Sequence, residues 1–251
     1  MGHRYDRIAA SIATVICLGV VAASLFISPA YAGDTPPLTI GTGAPTPDAI
    51  HDTRHVGTTG WNAPDAVRKM ADWVLDSGDN RAVPFVIVDK SEAKVFVFDK
   101  SGEMLGTAWV LVGLARGDDS APEIGTMPLK QITPDMRTTP AGRFVATIGH
   151  NLGKLDVLWV DYPTSVSLHR VINTNPAEHR LERIISKVPA DHRISYGCIN
   201  VPAQFFDSVV EPTFKDTPGI VYILPEVKEV RAVFPAYYDV DDLGNLQAAL
   251  N

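Results

Sequence analysis

Residues 85–98 read Phe85-Val86-Ile87-Val88-Asp89-Lys90-Ser91-Glu92-Ala93-Lys94-Val95-Phe96-Val97-Phe98. Valine, isoleucine and phenylalanine fill both ends of this stretch, and a polar segment separates them. Because β-branched and aromatic side chains favour strands, the stretch predicts a β-hairpin. Similar apolar runs follow at Met104–Leu114, Phe144–Ile148, Val157–Tyr162, Val166–Ile172 and Gly219–Leu224. Many short strands and few helices predict a mainly β domain.

The sequence on either side of these strands divides the chain into further parts. Apolar residues at three- and four-residue spacing predict a helix within residues 61–80, and two short helices are predicted at Ala177–Ser186 and Ala203–Val210. Residues 33–60 are rich in Pro, Gly, Thr and Ala and are interpreted as a flexible linker. The strands occupy residues 84–225, and residues 226–251 form an acidic, weakly patterned C-terminal tail.

Residues 1–32 have the pattern of an export signal. Arg4 and Arg7 precede the apolar run Ile8–Ile27, and Ala30-Tyr31-Ala32 provides small residues before a predicted cleavage after Ala32. An uncleaved membrane anchor is the alternative, since the run is just long enough to span a bilayer. Both interpretations place the remaining chain outside the cytoplasm, in the periplasm or cell envelope. Contact with the membrane is expected only through this segment, if it is uncleaved.

Charge and cysteine content narrow the function. The chain has 22 Lys and Arg against 29 Asp and Glu, for a net charge of −7, and no basic runs, which argues against a nucleic-acid partner. Cys17 lies in the predicted signal, so Cys198 is the single cysteine of the mature chain and cannot form an internal disulfide. A lone thiol in an oxidising compartment is either buried or used. No pattern of metal ligands or phosphate-binding glycines is present, and no metal or cofactor is expected.

The segment around Cys198 suits a nucleophile. It reads Ile194-Ser195-Tyr196-Gly197-Cys198-Ile199-Asn200-Val201 and precedes Pro202 and a predicted helix. Gly197 allows the backbone to approach a ligand closely, and the amides of Gly197 and Cys198, with that of Tyr196, are candidate donors to an oxyanion. Most free cysteines are instead small buried apolar residues, and that interpretation remains open for Cys198.

Two motifs give the chain a resemblance to a known family. Ser195-Tyr196-Gly197-Cys198-Ile199-Asn200 resembles the Ser-His-Gly-Cys-apolar-Arg/Asn signature of the YkuD-type L,D-transpeptidase catalytic domain, in a proteobacterial-like variant with Tyr for His. Upstream, Thr139-Pro140-Ala141-Gly142-Arg143-Phe144 resembles the Thr-Pro-x-Gly-x-Phe turn of that family. The similarity covers roughly residues 84–225. It implies a β-sandwich or barrel of mixed sheets with a few short helices.

The resemblance also implies a catalytic base. The family has a His-Gly pair at the end of a strand, and the best match here is His169-Arg170. His169 lies farther from Cys198 than is usual, and the segment Ala177–Ser186 explains the excess as an insertion. His179 fits the usual spacing but has charged neighbours typical of a solvated helix face, and His192 lies in a polar loop. We therefore predict His169 as the base and keep His179 and His192 as alternatives.

By resemblance, the chain is expected to be an acyltransferase that cuts peptidoglycan stem peptides through a thioester on Cys198 and joins them to an amine. Ser195 and Asn200 are expected to support the loop, and Tyr196 replaces an imidazole with a phenol. Arg170 and Arg183 are candidates for substrate carboxylates. Carbapenem β-lactams are expected as inhibitors. Alternatives are a carboxypeptidase that uses water, a wall-binding module that has lost catalysis, and a thiol-switch protein.

Overall fold

The computed structural model describes residues 63–243. The predicted export signal (1–32), the predicted linker (33–60) and residues 244–251 of the predicted tail lie outside this part. Within residues 63–243, no helix is both long enough and apolar enough to cross a membrane.

Strands dominate the described part of the chain. They are β1 (Phe85–Asp89), β2 (Lys94–Phe98), β3 (Met104–Trp109), β4 (Val112–Gly113), β5 (Gly142–His150), β6 (Asp156–Asp161), β7 (Val166–Arg170), β8 (Arg193–Ser195), β9 (Ile199–Val201) and β10 (Gly219–Ile223). The α-helices are α1 (Asp65–Ser77), α2 (Arg180–Arg183), α3 (Ala203–Phe205), α4 (Glu211–Phe214) and α5 (Val230–Val233). A π-helical stretch, Phe206–Val210, joins α3 to α4.

The predicted mainly β fold, the opening hairpin and the helix within residues 61–80 are confirmed. Two elements differ from the prediction. The expected strand Met104–Leu114 splits into β3 and β4, because Leu111 exchanges backbone hydrogen bonds with Asn200 instead of continuing beside β2. The expected helix Ala177–Ser186 shrinks to α2, since His179 takes a left-handed backbone conformation at the N-terminus of that helix.

Eight strands form one mixed sheet in the order β3-β2-β1-β10-β5-β6-β7-β9. The pairs β1–β10 and β7–β9 are parallel, and the other neighbours are antiparallel. The two edges of the sheet approach each other. Leu111, just after β3, pairs with Asn200 of β9, and β4 pairs with β8 beside them. The sheet is therefore nearly closed, and the closing seam contains the segment around Cys198.

The central strands are buried on both faces, which explains their continuous apolar sequence. One face of β1, β2 and β10 packs towards the helical segment 203–214, with Val86, Val97 and Val221 in one core. The other face packs on α1 and on residues 230–240, with Phe85, Phe98 and Tyr222 in a second core. The described part of the predicted tail takes part in this second core: Phe234 and Val240 are buried, and the Ala236 carbonyl accepts from Trp73 Nε1 at 3.2 Å.

A buried ion cluster connects this framework to the site. Lys90, directly after β1, has no exposed side-chain surface, and its Nζ donates to Asp118 Oδ1 at 2.8 Å and to the Thr139 carbonyl at 2.9 Å. Burial alone would raise the pKa of Asp118, but Lys90 and the amides of residues 226–228 lower it to about 2. The side chain of Glu226 is also fully buried, and it accepts from the Gly117 amide.

Replacing Lys90 by Met should destabilise the fold strongly. The substitution leaves the Asp118 carboxylate buried without its cation, and breaking a buried ion pair in this way typically costs about 3–5 kcal/mol. Lys100→Met removes an exposed lysine and is the control. Chemical denaturation of both variants measures the loss, and equal stability of the two would show that the cluster contributes nothing.

Candidate active site

Cys198 lies in a three-residue loop between β8 and β9, and Ser195 stabilises this loop. The buried Ser195 Oγ donates to the Cys198 carbonyl at 2.6 Å and accepts from the Gly197 amide at 3.1 Å. The thiol itself is partly exposed and unpaired with any other cysteine in the described part of the chain. The predicted supporting role of Ser195 therefore takes a specific form, a clamp across the turn that carries Cys198.

Gly197 fits against the Thr-Pro turn found in the sequence. Its φ is +128°, and a Cβ at this position would lie 2.8 Å from the Thr138 carbonyl oxygen. Any side chain would therefore clash with backbone while also straining φ. Beside it, Thr139 Oγ1 donates to the Gly197 carbonyl at 2.7 Å and accepts from the Gly113 amide at 2.8 Å. The two motifs far apart in sequence are thus in direct contact.

The parallel pairing of β7 with β9 brings His169 to the thiol. The register places Leu168 opposite Ile199 and His169 opposite Asn200. Because side chains alternate along a strand, Ser167 and His169 share the face of Cys198 and Asn200, while Leu168 and Ile199 fill the core. Ser167 Oγ lies 3.7 Å from Cys198 Sγ.

The ring of His169 is held at both nitrogens. Nδ1 lies 2.7 Å from the Arg170 carbonyl, which can only accept, so Nδ1 carries a proton. The lone pair of the neutral ring is then on Nε2, the nitrogen that faces Asn200 and that would take the proton of the thiol. Asn200 Nδ2 lies 3.2 Å from the same nitrogen, and Asn200 Oδ1 accepts from Arg180 at 2.7 Å. Arg180 therefore fixes the Asn200 amide with its NH2 group towards His169.

The pKa values of Cys198 and His169 are shifted in opposite directions. Burial by itself raises the pKa of Cys198, but the neighbouring imidazole of His169 and the nearby Ser167 lower it overall. Burial lowers the pKa of His169, and the neighbouring Cys198 and the Arg170 carbonyl raise it overall. Both directions favour a thiolate beside an imidazolium, the reactive form of a cysteine nucleophile.

The oxyanion donors are fewer than the sequence suggested. The Gly197 amide, one of the three expected, is used by Ser195 Oγ. A donor held in a local turn is not directed at a substrate carbonyl in this conformation. The candidates are therefore reduced to the amides of Cys198 and Tyr196.

The alternative histidines lie elsewhere. His179 is exposed at the start of α2, as its charged neighbours suggested. His192 has no exposed surface, and its Nδ1 and Nε2 each lie 3.0 Å from a carbonyl oxygen, those of Val110 and Ser186. Because it is fully buried against these carbonyls and its ring stacks on Trp109, His192 is a packing residue.

Neither arginine predicted to meet a substrate carboxylate is free to do so. Arg170 lies on the core face of β7, where it forms ion pairs with Asp207 and Glu211 and covers the ring of Phe206. Strand alternation explains the error, because the residue after His169 must point to the opposite face. Arg183 donates to the carbonyls of residues 178 and 191 and so stabilises the loop around α2.

The structure adds residues that the sequence did not single out. Ser167 contacts the thiol, Arg180 orients Asn200, and Arg137 places its guanidinium carbon 3.9 Å from the ring centre of Tyr196. The position of Ser167, two residues before a strand-end histidine, was a readable signal, whereas Arg180 looked like part of a solvated helix face. No group of three potential metal ligands occurs within residues 63–243.

Comparison with known proteins gives distant structural matches only. No model of a protein family matches the sequence, and no curated protein matches it. An L,D-transpeptidase from Enterococcus faecium is similar at 17% identity over 57% of this chain and 50% of its own, with a TM-score of 0.32. The helical cell shape determining protein Pgp2 from Campylobacter jejuni is similar at 12% identity over 58% of this chain and 49% of its own, with a TM-score of 0.38.

A third similar structure is an LD transpeptidase in complex with imipenem, at 14% identity over 57% of this chain and 59% of its own, with a TM-score of 0.34. The chain spans about half the length of the first two structures. Identity and TM-score are low in all three, so similarity alone does not establish the family.

His169→Ala should shift the pH dependence of thiol alkylation upwards. Without the imidazole, burial is the main remaining influence, and it raises the pKa of Cys198, so less thiolate is present at neutral pH. Iodoacetamide rates measured across pH give the midpoint. His179→Ala, which removes an exposed histidine, should leave the midpoint unchanged. Identical profiles for both variants would remove His169 from the proposed pair.

Proposed function

We propose that the chain is a cysteine-dependent L,D-transpeptidase that acts on peptidoglycan stem peptides. The observation that carries this proposal is the pair formed by Cys198 and His169, with the pKa of the thiol lowered and that of the imidazole raised. Around this pair are the two motifs that resemble the family, in contact through Thr139 and Gly197. A buried structural cysteine needs neither a neighbouring imidazole nor two such motifs around it.

The proposed reaction has two acyl transfers. The Cys198 thiolate attacks the carbonyl of the donor peptide, and the amides of Cys198 and Tyr196 stabilise the oxyanion, which is typically worth about 3 kcal/mol for one donor. The intermediate expels the leaving amine as His169 donates its Nε2 proton to it. An acceptor amine then loses a proton to His169 and attacks the thioester, and the thiolate leaves. With water as acceptor, the same steps make a carboxypeptidase.

The two departures from the family signature do not remove a component of this mechanism. Arg170 contributes its carbonyl to His169, and its side chain lies on the other face of β7. Tyr196 keeps its backbone amide while its ring stacks on Arg137. These contacts favour an active enzyme over a wall-binding module that has lost catalysis. A thiol switch is disfavoured because Cys198 has no second cysteine in the predicted mature chain.

The cellular location is part of the proposal. The export pattern of residues 1–32 supports a location of the catalytic part in the periplasm or cell envelope, where stem peptides are found. An acidic chain without basic runs is consistent with a peptide substrate and not with nucleic acid. The acceptor amine is proposed to come from a second stem peptide.

Cys198→Ser should abolish acyl transfer and leave the fold intact. A hydroxyl in place of the thiol requires far stronger activation than His169 provides for a thiolate. Incubation of both forms with peptidoglycan fragments, followed by mass spectrometry of the products, measures turnover and identifies the acceptor. Retention of more than about a tenth of the activity by the variant would contradict the mechanism.

A carbapenem should form a stable adduct on Cys198. Opening the strained ring makes the first attack easy, and a site shaped for an amine acceptor should release the adduct slowly. Intact-protein mass spectrometry of the reduced, folded chain detects the adduct, and Cys198→Ser is the control without a nucleophile. A chain that stays unmodified after long incubation would favour the non-catalytic module.

A further inference from the structure

Arg137 is the residue of the site that the fold leaves unsatisfied. Its Nε–H is buried and has no hydrogen-bond partner, and one Nη2–H donates to the Ile132 carbonyl at 3.2 Å. A guanidinium has five N–H donors, and buried donors are normally satisfied. Its other N–H donors have no hydrogen-bond partner within residues 63–243.

The charge of Arg137 is also unbalanced. Six arginines between residues 63 and 243 form ion pairs with carboxylates: Arg68, Arg116, Arg143, Arg170, Arg180 and Arg193. Arg183 donates to two carbonyls, and Arg81 and Arg231 are exposed to water. Arg137 and Arg183 are thus the half-buried arginines of residues 63–243 without an ion-paired carboxylate, and of the two Arg137 donates to one carbonyl only, in a protein with a net charge of −7.

The position of Arg137 connects this charge to the nucleophile. Its guanidinium carbon lies over the ring of Tyr196, two residues before Cys198, and the carbonyl of the next residue, Thr138, lies close to Gly197. Stacking on an aromatic ring fixes the plane of a guanidinium and leaves its edge for a bidentate acceptor. A group bound at this edge therefore lies beside the loop that carries Cys198.

We infer that Arg137, stacked on Tyr196, forms a subsite for a carboxylate of the donor peptide. This inference rests on the proposed function, because it takes the peptide attacked by Cys198 as the ligand. It assigns to Tyr196 a second task besides its amide: its ring is the platform for the guanidinium. It also makes Arg137 the arginine that binds a substrate carboxylate, a role that the contacts of Arg170 and Arg183 exclude for those two residues. The carboxylate is either the C-terminal group of the leaving residue or the side-chain group of the residue that is attacked.

Binding to the full chain carrying Cys198→Ser tests the subsite without turnover. The probes are a stem tetrapeptide with both carboxylates free, the same peptide with a C-terminal amide, and the same peptide with its side-chain carboxylate amidated. The parent should bind the free acid more tightly than one of the amides, and that amide identifies the carboxylate. Arg137→Gln should weaken binding of the free acid by about 10- to 100-fold and remove the preference.

Two further variants make the result specific. Arg231→Gln removes the same charge from an exposed position and should bind every peptide like the parent. Arg137→Lys keeps the charge but loses the stacked, bidentate edge, and should recover only part of the affinity. Thermal melting confirms that each variant is folded. The inference is overturned if Arg137→Gln weakens acid and amide equally, if it weakens neither, or if the parent binds no peptide.

Turnover by the chain with Cys198 intact is measured separately, so the two proposals fail in different ways. Acid-selective binding that depends on Arg137, in a chain that transfers no acyl group, would support the carboxylate subsite and contradict the proposed enzyme. Acyl transfer that is equally fast with all three peptides, and unchanged in Arg137→Gln, would support the enzyme and overturn the subsite.

Discussion

The hydroxyl of Thr139 is the contact on which the geometry of the site depends. It accepts from the Gly113 amide and donates to the Gly197 carbonyl, and with 1% of its surface exposed it makes both bonds away from water. The first bond holds the seam of the sheet, and the second holds the loop of the nucleophile. Lys90, in the buried ion cluster, donates a hydrogen bond to the carbonyl of Thr139. The position of Cys198 is therefore set by long-range contacts, and the loop does not have to be rigid by itself.

Much of the fold was predictable because its signals are local. A continuous apolar run such as Phe85–Val88 predicts a strand, and burial on two faces explains the run. The break between β3 and β4 was not predictable, since Leu111 is apolar like its neighbours and leaves the ladder only because Asn200 competes for its backbone. The helix predicted at Ala177–Ser186 is shorter in the structure for another reason. Its apolar spacing is helical, but His179 takes a left-handed backbone conformation directly before α2.

The candidate site also has parts that were predictable from the sequence and parts that were not. Cys198 and His169 were proposed from motifs that resemble a family and from their neighbours in the sequence, because a nucleophile loop and a strand end have local signatures. Arg180 and Arg137 were not, since each acts on a residue brought near it only by the folded sheet. The misplaced arginine, Arg170, shows the limit of adjacency as a guide: it is next to His169 in the chain, and strand alternation sends its side chain to the opposite face.

The basic residues around Cys198 have different roles because their partners differ. Arg180 is paired with Glu178, so it holds the Asn200 amide while adding little net charge to the site. Burial lowers the pKa of His169 and the neighbouring Cys198 raises it overall, so the charge of His169 is favoured by that of its partner. Arg137 has no such partner within the described chain. In an acidic protein, an uncompensated cation beside the loop of Cys198 is a favourable position for an anionic group. Tyr196 then has a task besides its backbone amide, because its ring supports that cation.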